Sequence, residues 1–432
     1  MTNINLQENI LDKIIFWLIV LLPVTLVSGP FLSDLSVSLI TLIFIYIAIN
    51  KKLYFYFKNI FSIIFGLFFL FLLLTSFFSL DPIVSLKKTL FYFRFWIFAL
   101  AVWYIFKLKE NELPKKLIFT FTIVFIILIF DGFVQFFLKK NLLGWPMQGN
   151  RLSSLFGDEL ILGSYVSRLL PIYFALLVFL NFNKKQIQYV IFFIIFVALE
   201  ILIFLSGERV AFFYINASTL MLILTMKNFK FFRLLTFFFS IVLIFSIVNF
   251  FPKTSDRIIK KTFDQIGLSK SNEILTADII DIDPNKKSGI RIFSIEHQNH
   301  YISSYRMFKD NFFTGIGPRM FRHKCGEEKY KLWEGCSTHP HNTYVQLLAE
   351  TGIFGFLFGV ILFFFMFLSI MKHFYFKIVK NKIIFNDFQL CLLSAILISI
   401  WPFVPTGDLF NNWLNIIYFL PVGMLIHTIN KN

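Results

Sequence analysis

A polar segment gives way to an apolar one in the stretch Cys336-Ser-Thr-His-Pro-His-Asn-Thr-Tyr-Val-Gln-Leu-Leu-Ala-Glu-Thr-Gly-Ile-Phe-Gly355. Two histidines, His339 and His341, flank a proline immediately before the apolar run begins. Asn342 or Thr343 is suited to cap a helix there, because both side chains can accept a hydrogen bond from a free backbone N–H. The pattern therefore predicts a membrane helix with titratable imidazole side chains immediately before its first turn.

The composition of the whole chain indicates the same class of protein. Of its 432 residues, 57% are hydrophobic, only 15% are charged, and Phe alone occurs 63 times. A soluble domain does not need so apolar a composition, so we expect an all-α polytopic membrane protein. The formal net charge of +16 could suggest a nucleic-acid partner. Membrane proteins concentrate Lys and Arg in cytoplasmic loops, and this explanation is preferred, so no nucleic acid is expected.

About twelve transmembrane helices are predicted, because a bilayer core of about 30 Å needs roughly 20 apolar residues for each span. Pro23 and Pro30 can kink or break the first span. The predicted spans are 14–33, 35–50, 60–79, 90–106, 117–138, 160–180, 188–206, 210–226, 232–251, 343–371, 386–404 and 410–429.

The loops predict how the chain is divided and oriented. Every loop on the side of the amino terminus is rich in Lys, so both termini are expected in the cytoplasm. The long segment 252–342 then lies in the periplasm as one large loop domain. It separates nine helices in residues 1–251 from three helices in residues 343–432. The predicted location is a bacterial inner membrane, crossed many times and contacted by lipid.

Cys325 and Cys336 both lie in the long polar segment, with ten residues between them. If this segment is periplasmic, the two cysteines are in an oxidising compartment and a disulfide between them can persist. The alternative is two free thiols in a reducing compartment, which would also invert the predicted orientation. Cys391 lies in an apolar run and is expected to be part of the core.

Arg209 stands between two apolar runs with almost no loop around it, where a guanidinium needs a partner or a wet cavity. The partner is either the neighbouring Glu208 or the phosphate of a ligand, which a guanidinium binds with two parallel hydrogen bonds. Glu350 also needs a partner, because it lies about two turns into a membrane helix; it can orient a histidine or pair with an arginine.

Histidine can exchange a proton near neutral pH, which makes His341 the candidate general base. The alternative is that it only caps the helix or is bonded at an interface. His339 is the less favoured candidate, and His297 and His300 follow on a helix expected along the membrane surface. Zinc is not expected, because no carboxylate or cysteine stands at a ligand-like spacing from these histidines.

Four motifs in order resemble the O-antigen ligase and O-antigen polymerase superfamily, and together they cover roughly residues 150 to 360. They are Arg151-Leu-Ser-Ser-Leu-Phe-Gly-Asp-Glu, Ser206-Gly-Glu-Arg209, the Gly315-Ile-Gly-Pro-Arg319 segment, and His341-Asn342 followed by Glu350-Thr-Gly352. The position where this superfamily carries a second arginine is occupied here by His297, and Arg291 lies six positions earlier.

The resemblance implies a metal-independent, inverting glycan transferase without a cofactor. Its donor would be an undecaprenyl-diphosphate-linked glycan, and its acceptor a lipid A–core or a growing glycan. His341 would be the base and Arg209 would bind diphosphate. The further substrate-binding candidates are Arg151, Arg291, His297, Arg319 and Glu350.

Several functions stay open at this point. One dominant loop favours a ligase over a polymerase, and a protein-glycosylating relative is a third possibility. A transporter or flippase for a lipid-linked glycan would carry charges at the middle of several spans. The charges of this sequence instead gather at one face, which favours chemistry there.

Overall fold

A computed structural model of the protein describes residues 9–181, 186–266 and 293–430. Within these ranges the chain is helical, and β-structure is limited to two isolated bridges in the loop 139–161. Nine helices of the described ranges are long and apolar enough to cross a membrane, judged by length and composition. The predicted class, an all-α polytopic membrane protein, is confirmed.

Seventeen α-helices are found in the described ranges, numbered here in chain order. They are α1 Ile10–Val20, α2 Leu22–Val27, α3 Pro30–Asn50, α4 Ile60–Phe77, α5 Pro82–Thr89, α6 Phe93–Leu108, α7 Leu113–Leu138, α8 Leu162–Leu180, α9 Gln186–Leu205, α10 Arg209–Thr225, α11 Lys230–Phe250, α12 Lys261–Ile266, α13 Ile295–Asp310, α14 Phe321–Lys324, α15 Thr343–Val379, α16 Asp387–Ser399 and α17 Asn412–Ile429.

Each of the twelve predicted spans contains helical structure, but their ends differ from the prediction. The first span is divided into α1 and α2 at Leu21, and the next helix starts at Pro30 rather than at residue 35. Gly29 has a positive φ of 122° and Pro30 is the first residue of α3, a position that proline favours. The helix α16 has 13 residues and rises only about 20 Å. The number twelve therefore stays a prediction.

Burial divides the membrane helices into central and peripheral ones. In α8, 89% of the apolar window is buried, whereas the value is 17% in α11 and 22% in α15. Lipid tails are as apolar as a protein core, so a peripheral membrane helix keeps phenylalanine on its outer side. Phe245 and Phe250 of α11 are exposed in this way.

Successive loops lie alternately at the two ends of the helix bundle. At one end, Nζ of Lys51 lies 3.0 Å from a carboxylate oxygen of Asp12. At the other end, the backbone N–H of Leu80 donates to the carbonyl of Ile316, and the N–H of Thr406 donates to the carbonyl of His341. The second end carries all the residues discussed below. Its assignment to the periplasm rests on loop charge and stays a prediction.

The described part of segment 252–342 packs directly on a membrane helix. Met307, Ile316 and Phe321 form a small core together with Ala349 of α15. Cys325 and Cys336 form a disulfide with their Cα atoms 5.0 Å apart. The helix predicted to carry His297 and His300 is found as α13. The division of the chain into three domains stays a prediction.

Candidate functional site

Four histidine rings form a cluster at this end of the bundle. His297 and His300 are one turn apart on α13, while His339 and His341 precede α15. The centroid of the His341 ring lies 4.1 Å from that of His339, 5.1 Å from that of His300 and 5.4 Å from that of His297. His341 therefore contacts all three other members of the cluster.

The loop between α16 and α17 holds His341 in position. His341 has a positive φ of 57°, and its carbonyl accepts a hydrogen bond of 2.8 Å from the N–H of Thr406. The next residue, Asn342, caps α15 by accepting from the N–H groups of Tyr344 and Val345. Its amide also donates to the carbonyl of Pro402. The sequence predicted the cap but did not indicate this loop as part of the site.

The environment of the cluster keeps its rings neutral. Burial, together with the nearby His339, His297 and His300, lowers the pKa of His341 to about 3. Burial likewise lowers the pKa of His300 to about 4. A neutral imidazole has a free lone pair, so at neutral pH the ring of His341 can accept a hydrogen bond from a hydroxyl.

The imidazole nitrogens point to separate partners. Nδ1 of His339 lies 3.0 Å from the hydroxyl of Thr338, and its Nε2 lies 3.3 Å from the carbonyl oxygen of Thr406. Nδ1 of His297 is bonded to the hydroxyl of Ser294. In the described part of the chain, no three His, Cys, Asp or Glu side chains are arranged to hold a metal ion.

A cluster of three arginines, Arg151, Arg209 and Arg257, lies beside the histidines. Arg151 donates to the carbonyls of Ser206 and Leu160, each at 3.3 Å. Gly207 lies beneath them with a φ of 67°; a Cβ there would be 3.0 Å from Cγ of Arg151 and 3.4 Å from Cδ of Arg257. The turn favours glycine, because its φ is in the left-handed region and a Cβ would also lie close to the Arg151 side chain.

Electrostatic interactions connect the three arginines with one another and with the histidines. Arg257 interacts with both Arg151 and Arg209. Burial lowers the pKa of His297, Glu296 opposes this, and the positive charge of Arg209 lowers it further. Nε of Arg257 is buried without a hydrogen-bond partner among the described residues. The sequence analysis missed Arg257, because no motif marks it.

The Glu208 side chain is bonded to the start of α8. Its carboxylate accepts hydrogen bonds of 2.7 Å and 3.1 Å from the N–H groups of Gly163 and Ser164, at the start of α8. A helix start carries partial positive charge, so it stabilises the carboxylate. Burial raises the pKa of Glu208, and the charges of Arg151 and Arg168 oppose that shift.

Glu350 lies at a break in α15. Gly352 leaves the helical conformation with φ 68° and ψ −163°. The carbonyls of Ala349 and Glu350, freed by this break, accept hydrogen bonds from the N–H groups of Ile316 and Gly317. Two of the motifs that resembled the superfamily are thus in direct backbone contact.

The Glu350 side chain anchors α14 and the last loop instead of orienting His341 directly. One carboxylate oxygen accepts from the N–H of Phe321 at 3.1 Å, and the other accepts from the Gln346 amide at 3.0 Å. That amide also donates to Asp408 at 2.7 Å, and Arg322 lies 3.2 Å from the other oxygen of Asp408. Gln346 and Asp408 were not indicated by any sequence motif.

The predicted site residues are thus distributed over two neighbouring regions. Arg151, Arg209, His297 and His341 lie together. Arg319 lies with Arg322, which interacts with His339, and the φ of Arg319, 64°, is in the left-handed region. Arg291 lies outside the described residues. The disulfide predicted between Cys325 and Cys336 is present.

A family model described as O-antigen ligase matches residues 191–364 of this chain. The matched region runs from α9 into α15 and contains Arg209, Arg257, the histidine cluster and the broken helix. This confirms the resemblance to the O-antigen ligase superfamily and indicates an O-antigen ligase- or polymerase-like function for a membrane protein. None of the curated proteins compared with the chain matches it.

Proposed function

We propose that this protein transfers a glycan from an undecaprenyl-diphosphate-linked donor to an acceptor hydroxyl at the periplasmic face of the inner membrane. The observation that supports this most is the juxtaposition of a neutral, partly buried His341 with the arginine cluster of residues 151, 209 and 257. The two parts match the two needs of the reaction, which are a base for the hydroxyl and positive charge for the diphosphate.

In the proposed reaction, His341 takes the proton of the acceptor hydroxyl. The acceptor oxygen then forms a bond to the anomeric carbon of the donor sugar, while the bond from that carbon to the diphosphate oxygen breaks. The electron pair of this bond leaves with the lipid diphosphate, and the configuration at the anomeric carbon is inverted. The lowered pKa of His341 keeps the ring unprotonated at neutral pH, so its lone pair is available to the acceptor hydroxyl, although the same shift makes the ring a weaker base.

The arginine cluster stabilises the charge of the departing diphosphate. A guanidinium stays protonated at any relevant pH and binds two phosphate oxygens in parallel. Arg209 is the member that links the arginine cluster to the histidines, because it interacts both with Arg257 and with His297. Preorganised positive charge at a leaving group lowers the barrier of such a transfer without needing a metal ion.

The prenyl tail of the donor would lie along α11. This helix is mostly lipid-facing and ends at Phe250, seven positions before Arg257. Phe245 and Phe250 are 67% and 80% exposed on its surface. A tail in contact with these rings would bring the diphosphate to the end of the helix, beside the arginine cluster.

We favour a ligase with a lipid A–core acceptor over a polymerase. The chain has one dominant loop at this end, whereas the loop 139–161 is short and folds back on itself through two isolated bridges. The product distinguishes the two activities, because a ligase transfers the glycan to lipid A–core and a polymerase extends the lipid-linked glycan.

The test is transfer by the purified full-length protein in liposomes that contain lipid-linked glycan and lipid A–core. We expect His341→Ala to reduce turnover by about a hundredfold or more, as loss of a general base does. Arg209→Lys should also lose most activity, because an ammonium cannot reproduce the paired hydrogen bonds. His427→Gln, at the opposite end of the bundle, is the matched control and should keep wild-type turnover. Near wild-type transfer by His341→Ala would refute the proposal.

A further inference from the structure

A second cationic region lies near the histidine cluster and shares no residue with the arginine cluster of residues 151, 209 and 257. It is a cavity of about 460 Å³ between the α5–α6 segment, the segment 319–323 and the start of α17. Five of its lining residues are cationic, namely Lys87, Lys88, Arg94, Arg319 and Arg322. The lining residues include no carboxylate, and all of them belong to the described part of the chain.

The positive charge of this cavity exceeds what its carboxylate neighbours balance. Arg94 pairs with Asp34 at 2.5 Å, and Arg322 pairs with Asp408 at 3.2 Å. The described residues provide no such ion pair for Lys87, Lys88 or Arg319, so three cations are left over. In addition, the Nε atoms of Arg94, Arg319 and Arg322 are buried without a hydrogen-bond partner in the described ranges. Buried donors of this kind need an acceptor, which an anionic ligand would provide.

The remaining wall of the cavity is aromatic. Phe91, Tyr92, Phe95 and Phe410 line it, and Phe91 is 56% exposed. Lys87 is exposed as well, on the short helix α5 that leads into the membrane helix α6. The cavity therefore opens where the membrane surface is expected. Its lining suits a molecule that has phosphate groups together with sugar rings or acyl chains.

The cavity is connected to the histidine cluster by direct contacts. The ring of Phe321, next to Arg322, lies 6.3 Å from the ring of His300, which in turn contacts His341. Asp408, the partner of Arg322, belongs to the same loop as Thr406, which bonds the backbone of His341. The histidines thus lie between two separate cationic regions.

We infer that this cavity binds the phosphate groups of a phosphorylated glycolipid acceptor and presents its free hydroxyl to His341. This inference rests on the proposed function, because it assigns the donor diphosphate to the arginine cluster and the acceptor to the cavity. Two separate cationic regions allow both anionic lipids to be bound at once without sharing one set of ligands. The aromatic wall and the opening at the membrane favour a lipid over free phosphate.

The test measures equilibrium binding of fluorescent diphosphoryl lipid A, and of the same lipid without phosphates, to the full-length protein in detergent. The wild type should bind the phosphorylated lipid about tenfold more tightly or better, since hydrogen bonds to charged groups are strong. Lys87→Gln combined with Lys88→Gln should remove most of this preference. Lys139→Gln combined with Lys140→Gln is the matched control, because it removes two lysines from the same end outside the cavity.

Each other outcome would overturn the assignment. An unchanged preference in the Lys87 and Lys88 variant would show that phosphate is bound elsewhere. An equal loss in the Lys139 and Lys140 variant would show that only general surface charge is involved. Competition by inorganic phosphate at the same concentration as the lipid would exclude a site built for a lipid.

A separate measurement tells a failure of this inference from a failure of the proposed function. Release of lipid diphosphate from the donor is followed in the wild type, whose Lys87 and Lys88 are intact, with the phosphorylated or the dephosphorylated acceptor supplied at saturation. If the wild type releases none with any acceptor, the proposed transfer is wrong, whatever the binding data show. If release is intact and the binding preference does not depend on these lysines, only the acceptor assignment is wrong.

Discussion

At the scale of the residue, His341 combines an unfavourable backbone conformation with an unfavourable place for a charge. A positive φ costs a residue with a side chain about 1 kcal/mol or more, and His341 is held there by Thr406 and by the cap of α15. Arg319 has the same kind of backbone at the rim of the cavity. Residues held in such conformations by their surroundings are concentrated at functional sites.

The lowered pKa values in the histidine cluster predict how stability depends on pH. His300 has its pKa lowered to about 4 in the folded state, whereas an unfolded histidine titrates near 6.5. Below pH 6.5 the unfolded state binds more protons, so stability falls as the pH falls towards 4. The loss is at most about 1.4 kcal/mol per pH unit for each such histidine.

We therefore expect the Tm of the detergent-solubilised protein to fall between pH 7 and pH 5, and His300→Gln to make this fall smaller. The exposed His323→Gln is the matched control and should keep the wild-type dependence. A His300→Gln variant whose Tm falls as steeply as that of the wild type would show that the cluster does not carry this linkage.

At the scale of the element, the decisive feature is the interruption of α15 at Gly352. The φ of 68° and ψ of −163° belong to a region that only glycine occupies readily. A Cβ at this position would lie 2.4 Å from the carbonyl oxygen of Phe313, which is a backbone atom and cannot move aside easily. The break turns two carbonyls of α15 towards the Gly315–Gly317 turn and so places Arg319 and Phe321.

Gly352→Ala should accordingly lower both the Tm and glycan transfer. The backbone cost alone is about 1–2 kcal/mol, and the contact with Phe313 adds to it. Gly66→Ala in α4 provides the control, because a Cβ there meets no atom within 4 Å and alanine is a better helix former than glycine. Its Tm should be unchanged or higher. Equal Tm values for wild type and Gly352→Ala would mean that the break is not required.

At the scale of the whole molecule, the site is assembled from loops that are far apart in sequence. The segments 78–92, 139–161, 206–208, 251–260, 293–342 and 400–411 all meet at one end of the helix bundle. Because successive spans cross in opposite directions, every second loop reaches the same face. Every site assignment therefore depends on the side of the membrane at which this face lies.

The disulfide allows that orientation to be measured. In a Cys391→Ser background, which removes the buried free thiol, Cys325 and Cys336 should react with a membrane-impermeant thiol reagent in intact cells only after reduction. Breaking the membrane before reduction should reveal no additional thiol. Labelling without reduction, seen only once the membrane is broken, would place the loop in the cytoplasm and reverse the orientation.

The sequence by itself predicted the class of fold and the cysteine pair, which the structure confirms, and it marked His341 and Arg209 as candidates for the site. These features are local: apolar runs of fixed length, motifs of fixed spacing, and a histidine next to a helix cap. Only the tertiary structure shows that the site includes Arg257, Thr406 and Asp408, and that a cavity lies beside Lys87 and Lys88. Each of these features depends on contacts between residues that are far apart in the chain, such as a hydrogen bond, an ion pair or an electrostatic interaction. Spacing along one chain carries no information on which distant loops share a face, and the packing of the helices settles that question.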